Sequence, residues 1–212
     1  MIKKYSDFVD INIYDSIIEL NIEDAYKFVM DNNKSYNLPY HNEFHLEQVC
    51  KFALKGAEFY DLSIEDKKCL AVAALFHDIN HTGSGKNDDI NIEIAIDSFK
   101  EFATIANYDS IDIEKIIALI KVTRFPYITE ANTTIEKIMR DSDIIQGSFM
   151  DNYINGVVFA LAKEAKIDKK DMIQNQIKFL KNMKFCTSWA TNLFKTKLDY
   201  NIKLLNTVNK IY

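Results

Sequence analysis

The sequence predicts an all-α protein, one compact single-domain helical bundle, and three observations carry that prediction. Apolar residues recur at helical spacing along most of the chain, with no convincing β-alternation. Only two prolines and five glycines punctuate 212 residues, which favours long helices over a turn-rich β architecture. Hydrophobic residues make up 48% of the chain, enough for a full core, yet no segment approaches the apolar length that spans a bilayer.

Taken in order, Ile17, Ile18, Leu20, Ala25, Phe28 and Val29 predict a helix over about residues 14–30. Residues 31–39 (DNNKSYNLP) read as a turn. Pro39 biases Leu38 away from the α region, so the next helix starts near His41 and runs through Phe44, Val49, Phe52, Ala53 and Ala57 to about Tyr60. Ser63 followed by Asp66 resembles a capping box with the shorter acid, opening a helix that ends in His77–Asp78. Residues 82–87 (TGSGKN) form a polar, glycine-containing loop. Ile90, Ile94, Ala95 and Phe99 face inward on a helix over about 89–102. Further helices follow over 113–122, stopped by Pro126, over 131–146, ending near Gly147, and over 150–165, 172–183 and 187–209. No internal repeat or low-complexity tract divides the chain. Residues 1–212 therefore read as one domain.

Composition narrows the function classes. A net charge of −5 argues against broad, charge-driven binding to nucleic acid or to an anionic membrane. It leaves room for a small phosphate ligand, because a metal ion reverses the local sign. Cys50, Cys69 and Cys186 are odd in number, widely spaced and in apolar contexts, so they read as reduced core thiols of a cytoplasmic protein. The start of the chain, MIKKYSDFVDINIYD, follows its lysines with acids instead of an apolar run and does not read as a signal peptide.

The chemistry concentrates in two short stretches. In AVAALFHDINHTG, residues 71–83, an apolar run delivers His77 and Asp78 side by side, with His81 one turn later. Adjacent helical positions lie about 100° apart, so an imidazole and a carboxylate there can converge on one ion. In YHNEFH, His41 and His45 form a second i, i+4 pair on an expected helix. These four are the only histidines of the chain. An ion engaged in hydrolysis needs a few nitrogen and oxygen ligands and an open position for water. His45, His77 and Asp78 supply three. The segment RDSDII, residues 140–145, offers a fourth carboxylate, and spacing alone does not choose between Asp141 and Asp143.

These motifs resemble those of the HD-domain metal-dependent phosphohydrolases, whose pattern H…HD…D is matched by His45, His77–Asp78 and Asp143, the last as second acid of the D-x-D segment. PYHNEFH and HDINHTG are similar to the PYHNxxH and HDxxHxG motifs of the class I cyclic-nucleotide phosphodiesterases, and YHN…H, FHD and DSDI…G to small bacterial HD phosphohydrolases. The resemblance covers about residues 39–190, which it implies as the HD core, with 1–38 as an N-terminal helical extension. It implies one or two divalent ions. The first, Zn, Mn, Fe or Co, would lie on His45, His77, Asp78 and Asp143; the second, Mg or Mn, would be held mainly by Asp78 and waters. It implies His41 as general acid, Asp78 as the bridging carboxylate, and His81 hydrogen-bonded to water on the second ion. An imidazole titrating near neutrality suits proton transfer, which is worth roughly 10²–10⁴ in rate. Hydroxide shared by the two cations would be the nucleophile, and a nucleotide phosphoester, foremost a cyclic one, the substrate. Gln176 and Phe179 (QIKF) have the spacing of the family's Q-x-x-F base clamp, without the proline that follows it there. Arg140 is placed either to reach a phosphate oxygen or to pair with a nearby acid.

Competing expectations share the metal site. A nucleotidase or other small-phosphate-ester hydrolase differs only in what Gln176 and Phe179 do. An HD-type di-iron oxygenase would need further histidines after His81, and none follows. A non-catalytic metal-binding sensor module would have no use for both His41 and His81. The lysine-rich C-terminal helices read as solvated faces.

Overall fold

The computed structural model describes residues 12–83, 88–149 and 152–212. Among them the chain forms ten α-helices, one π-helical segment and no strand. The helices are α1 (Ile13–Glu19), α2 (Glu23–Asn32), α3 (Glu43–Phe59), α4 (Ile64–Phe76), α5 (Asp88–Ile105), α6 (Ser110–Lys121), α7 (Thr134–Phe149), α8 (Ala160–Ala165), α9 (Lys169–Asn182) and α10 (Ser188–Val208). The π segment, Ile154–Phe159, leads directly into α8.

Helix α4 is the axis of the bundle. Every residue from Cys69 to Phe76 is buried, as a helix that is apolar all round must be. Helices α2, α3, α5, α6 and α7 surround it, and Ala71, Ala73 and Ala74 leave room for them. A second apolar cluster joins the π segment to α8, α9 and α10 through Tyr153, Val158, Ile173, Leu180 and Leu205. Phe52, Ile145, Trp189 and Phe194 form a third, which ties α10 to α3 and α7. At Gly56 a Cβ would lie 2.7 Å from Ile138 Cγ2 and 3.1 Å from the Trp189 ring, so α3, α7 and α10 meet there closely. Asp141 locks this junction. Its carboxylate accepts the Cys186 and Thr187 N–H groups, both at 2.8 Å, and the Thr187 hydroxyl at 2.7 Å. Thr187 Oγ1 in turn caps α10 by accepting the Ala190 N–H.

Several expectations need correction. The first helix is two, because Asn21 takes a left-handed φ of 52°, which asparagine tolerates, and the chain turns there. Neither histidine pair lies on one helix. Asn42 caps α3 by accepting the Phe44 and His45 N–H groups, which leaves His41 ahead of the helix. At the other pair α4 ends at Phe76, His77 caps it, and Asn80 (φ 60°) turns the chain before His81. On α5 the buried residues are Asn91, Ile92, Ala95, Ile96, Phe99, Phe102 and Ala103, whereas Ile90 is 48% exposed. Helix α7 continues through Gly147, and the stretch expected as a plain α-helix over 150–165 carries the π segment. Cys50 and Cys69 are buried free thiols, but Cys186 is exposed at the turn into α10. Within the 82–87 loop, residues 84–87 lie outside the described residues. No described helix is long and apolar enough to cross a membrane.

Candidate metal centre

The start of one helix, the end of a second and the middle of a third converge to build the centre. His45 sits in the first turn of α3, His77 and Asp78 at the C-terminus of α4, and Asp143 within α7. The segments are far apart in sequence, but α3, α4 and α7 pack on one another and bring them together. His45 and His77 are each 1% exposed. The His77 ring is held by a 2.8 Å contact of Nδ1 with the Ala74 carbonyl, which directs Nε2 inward. Asp141, two residues before Asp143, points instead to the 186–187 backbone, since positions i and i+2 lie about 200° apart on a helix.

The donor atoms have the spacing of a coordination polyhedron. His45 Nε2 lies 3.2 Å from His77 Nε2, 3.2 Å from Asp78 Oδ2 and 3.5 Å from Asp143 Oδ1. His77 Nε2 lies 3.4 Å from Asp78 Oδ2 and 3.6 Å from Asp143 Oδ1. Ligands at about 2.1 Å from a tetrahedral ion sit roughly 3.4 Å from one another. Two imidazoles and two carboxylates with these edges can hold a metal ion. The electrostatics agree. Burial alone would push His45 down, but Asp143 and Asp78 overcome it and raise His45 to about 10. His77 is also raised, burial opposing and Asp78 and Asp143 prevailing. Asp78 is held well below the usual carboxylate range and Asp143 is lowered to about 2, in both cases against burial, by the neighbouring histidines. The site thus draws positive charge, as protons or as a cation.

His41 and His81 form a second group with Glu164, a residue the sequence reading did not single out. The Glu164 side chain is 2% exposed. Its Oε2 accepts the N–H groups of Tyr40 and His41 at 3.0 and 3.1 Å, and its Oε1 is hydrogen-bonded to His41 Nδ1. With Nδ1 engaged, His41 turns Nε2 toward the metal group, 3.8 Å from Asp78 Oδ2. Tyr40 lies edge-on to the His41 ring at 4.8 Å and packs against His45 at 5.0 Å. The His41 and His81 rings stack at 3.8 Å with 25° between their planes. Near-parallel rings aim their in-plane lone pairs along separate lines, which suits a hydrogen-bonded relay better than chelation of one ion. His81 Nδ1 accepts the Gly83 N–H at 3.0 Å and its Nε2 lies 2.9 Å from Asn91 Nδ2. Burial, and then the nearby His41, lower His81 to about 4, so it is neutral near pH 7.

The remaining expected residues, Gln176, Phe179 and Arg140, are each engaged by other side chains or by backbone. Gln176 Oε1 accepts the Tyr153 hydroxyl at 2.9 Å. Phe179 is half-buried and meets Phe125 edge to face at 5.4 Å. Arg140 donates from Nε to the Val122 carbonyl at 2.9 Å and from Nη2 to the Thr129 carbonyl, with its guanidinium 4.4 Å from the Tyr127 ring centre. It thereby holds the segment between α6 and α7. That segment is also tied to α5, since Phe125 N–H donates to Asp88 and Arg124 pairs with Asp89. Glu164 was invisible in sequence because its partners lie 123 and 124 residues away and no motif joins them. The chain is thus a helical protein with a buried His/Asp cluster that can bind metal, compatible with an HD-like fold. Compared with protein-family models and with curated proteins, it matches none.

Proposed function

We propose that the protein is a metal-dependent phosphohydrolase of the HD type that hydrolyses a phosphoester of a nucleotide, foremost a cyclic phosphodiester. One observation carries this reading. His41 presents Nε2 to the cluster at 3.8 Å from Asp78 while Glu164 engages its Nδ1, an arrangement that a purely structural metal site does not need. His45, His77, Asp78 and Asp143 would hold the first ion, and their mixed nitrogen and oxygen donors suit Zn, Mn, Fe or Co; Asp78 would be shared with a second ion, Mg or Mn. A bound divalent ion supplies Lewis acidity at the phosphorus and lowers the pKa of water. The chain's own residues do the rest. Glu164 fixes the His41 ring, and His41 delivers a proton from Nε2 to the departing ester oxygen. His81, kept neutral by burial and held through both ring nitrogens by Gly83 and Asn91, stacks on the His41 ring and steadies it from that side. Tyr40 and its neighbours exclude bulk water from that side.

A second reading, a nucleotidase or other small-phosphate-ester hydrolase with the same metal site, draws on the state of the expected base clamp. Phe179 is already packed against Phe125, and Gln176 Oε1 is already engaged by Tyr153. The test is a screen of cyclic and linear nucleotides and a generic aryl phosphodiester with Mn²⁺, Mg²⁺ or Fe²⁺ supplied, alongside metal analysis. His41→Ala is expected to retain the first metal and lose most turnover, and Asp78→Ala to lose both. A His41→Ala protein emptied of metal would make His41 a ligand and end its assignment as the acid. Phe179→Ala is expected to raise KM several-fold for a nucleotide but not for the aryl ester, since base–aromatic stacking is worth about 1–3 kcal/mol. Equal loss on both would favour the second reading.

A further inference from the structure

The net charge of −5 conceals a strong segregation. Residues 163–212 carry eleven lysines against four acids, a net of +7, while residues 1–162 carry 15 basic and 27 acidic residues, a net of −12. Ten of those eleven lysines are exposed, and none of the ten forms an ion pair with a described residue. Two of the four acids, Asp168 and Asp171, lie among them at the start of α9. The turn from α8 into the start of α9, whose residues 166–171 hold three lysines and two aspartates, meets the residues after α10 at one tip of this segment. Lys169 Nζ lies 4.4 Å from the centre of the Phe159 ring, Phe159 meets the Tyr212 ring at 5.7 Å, and Lys170 Nζ donates to the Tyr212 carbonyl at 3.0 Å. Apolar side chains stand out of the same tip: Ile211 is 78% exposed, Tyr212 50% and Ile167 38%.

We propose that this tip is a docking surface for an anionic lipid membrane, on which the protein rests peripherally. Lysines around exposed isoleucine and tyrosine side chains match a lipid interface. The ammonium groups meet lipid phosphates and carboxylates while the apolar groups enter the headgroup boundary. A nucleic acid fits less well. The segment 163–212 holds no arginine for bidentate phosphate or base contacts. With no described helix able to cross a membrane, attachment is at the surface. The inference is independent of the catalytic reading.

Co-sedimentation of the 212-residue chain with vesicles of phosphatidylcholine alone, or mixed with phosphatidylserine, tests it. Binding to the anionic vesicles only, weakening steeply between about 0.05 and 0.5 M salt, is the expected result. Each lysine near such a surface raises partitioning by about fivefold, so Lys166→Gln, Lys169→Gln and Lys170→Gln together should lower it by about a hundredfold. Ile211→Ser should lower it several-fold with the salt dependence unchanged. The same exchange at Lys51, Lys67 and Lys100, on the acidic part of the chain, should change nothing. Circular dichroism on each variant separates lost binding from lost folding, and Lys166→Gln alone serves if the triple variant melts. Equal binding to both vesicle types, no binding to either, or unchanged binding of the folded tip variants would overturn the proposal. So would binding to an oligonucleotide, abolished by the tip variants, in the absence of vesicle binding.

Discussion

His41 is useful only in one ring orientation, and a single carboxylate decides that orientation. Glu164 spends one oxygen on two backbone N–H groups and the other on His41 Nδ1, so turn and ring are fixed together. Glu164→Gln keeps the volume but weakens the charge-assisted contact. Turnover should fall by roughly 10–100-fold with the first metal retained, the usual cost of losing a group that orients a site residue. Loss of metal from Glu164→Gln would show that Glu164 acts on the cluster and not through His41. The histidine ligands make a second statement at this scale. His45, raised to about 10, carries a proton at pH 7 in the metal-free protein, yet must be neutral to bind a cation. Metal uptake at pH 7 should therefore release protons, seen as a binding enthalpy that varies with the ionisation enthalpy of the buffer. A buffer-independent enthalpy would contradict the His45 assignment.

Helices α3, α4 and α7 position the site by how closely they approach. Gly56 on α3 makes one of those approaches possible, with Ile138 of α7 and Trp189 of α10 pressed against it. Gly56→Ala would normally favour a helix, but here the added methyl meets Ile138 at 2.7 Å, so the packing cost prevails. A loss of about 1–3 kcal/mol, read as a lower denaturation midpoint with unchanged m-value, is the expected outcome. A more stable Gly56→Ala protein would mean that α3 and α7 part easily, and that the cluster between them is less rigid. The π segment before α8 adds a residue to its turns relative to an α-helix. That shift in register lies between Tyr153, which donates to Gln176, and Glu164, which holds His41.

Charge balance at the centre sets the behaviour of the whole molecule with pH. His45 is raised from 6.5 to about 10, so its contribution is fully present below pH 6.5 and is lost as pH rises through about 10. Asp143 is lowered from 3.8 to about 2, so its contribution is present above pH 3.8 and is lost as pH falls through about 2. Chelator-treated protein should accordingly lose melting temperature between pH 6.5 and 9. Metal-loaded protein should not, because the ion replaces the protons and gains affinity as they leave. At a metal concentration one hundred times Kd the stabilisation is about 2.7 kcal/mol, a shift of several degrees by differential scanning fluorimetry. Identical melting curves with and without chelator across this range would argue that the cluster binds no ion.

The helical class and most element positions follow from the sequence by itself, because apolar periodicity is a local property that each helix satisfies against its immediate neighbours. The candidate ligands were legible too, since four histidines in two short motifs stand out in a chain with no others. Tertiary structure decided what depends on convergence. Asp141 and Asp143 face opposite sides of α7, and only the packing of α7 against α3 and α4 determines which one meets His45 and His77. The helix ends at Asn42 and Phe76 moved His41 and His81 off the helices onto which spacing had placed them, and there they stack on each other. Glu164 has no local signature, because it acts on a histidine 123 residues away. Periodicity records which face of a helix is buried, whereas a site is made where several buried faces come together, and that point is set by long-range packing alone.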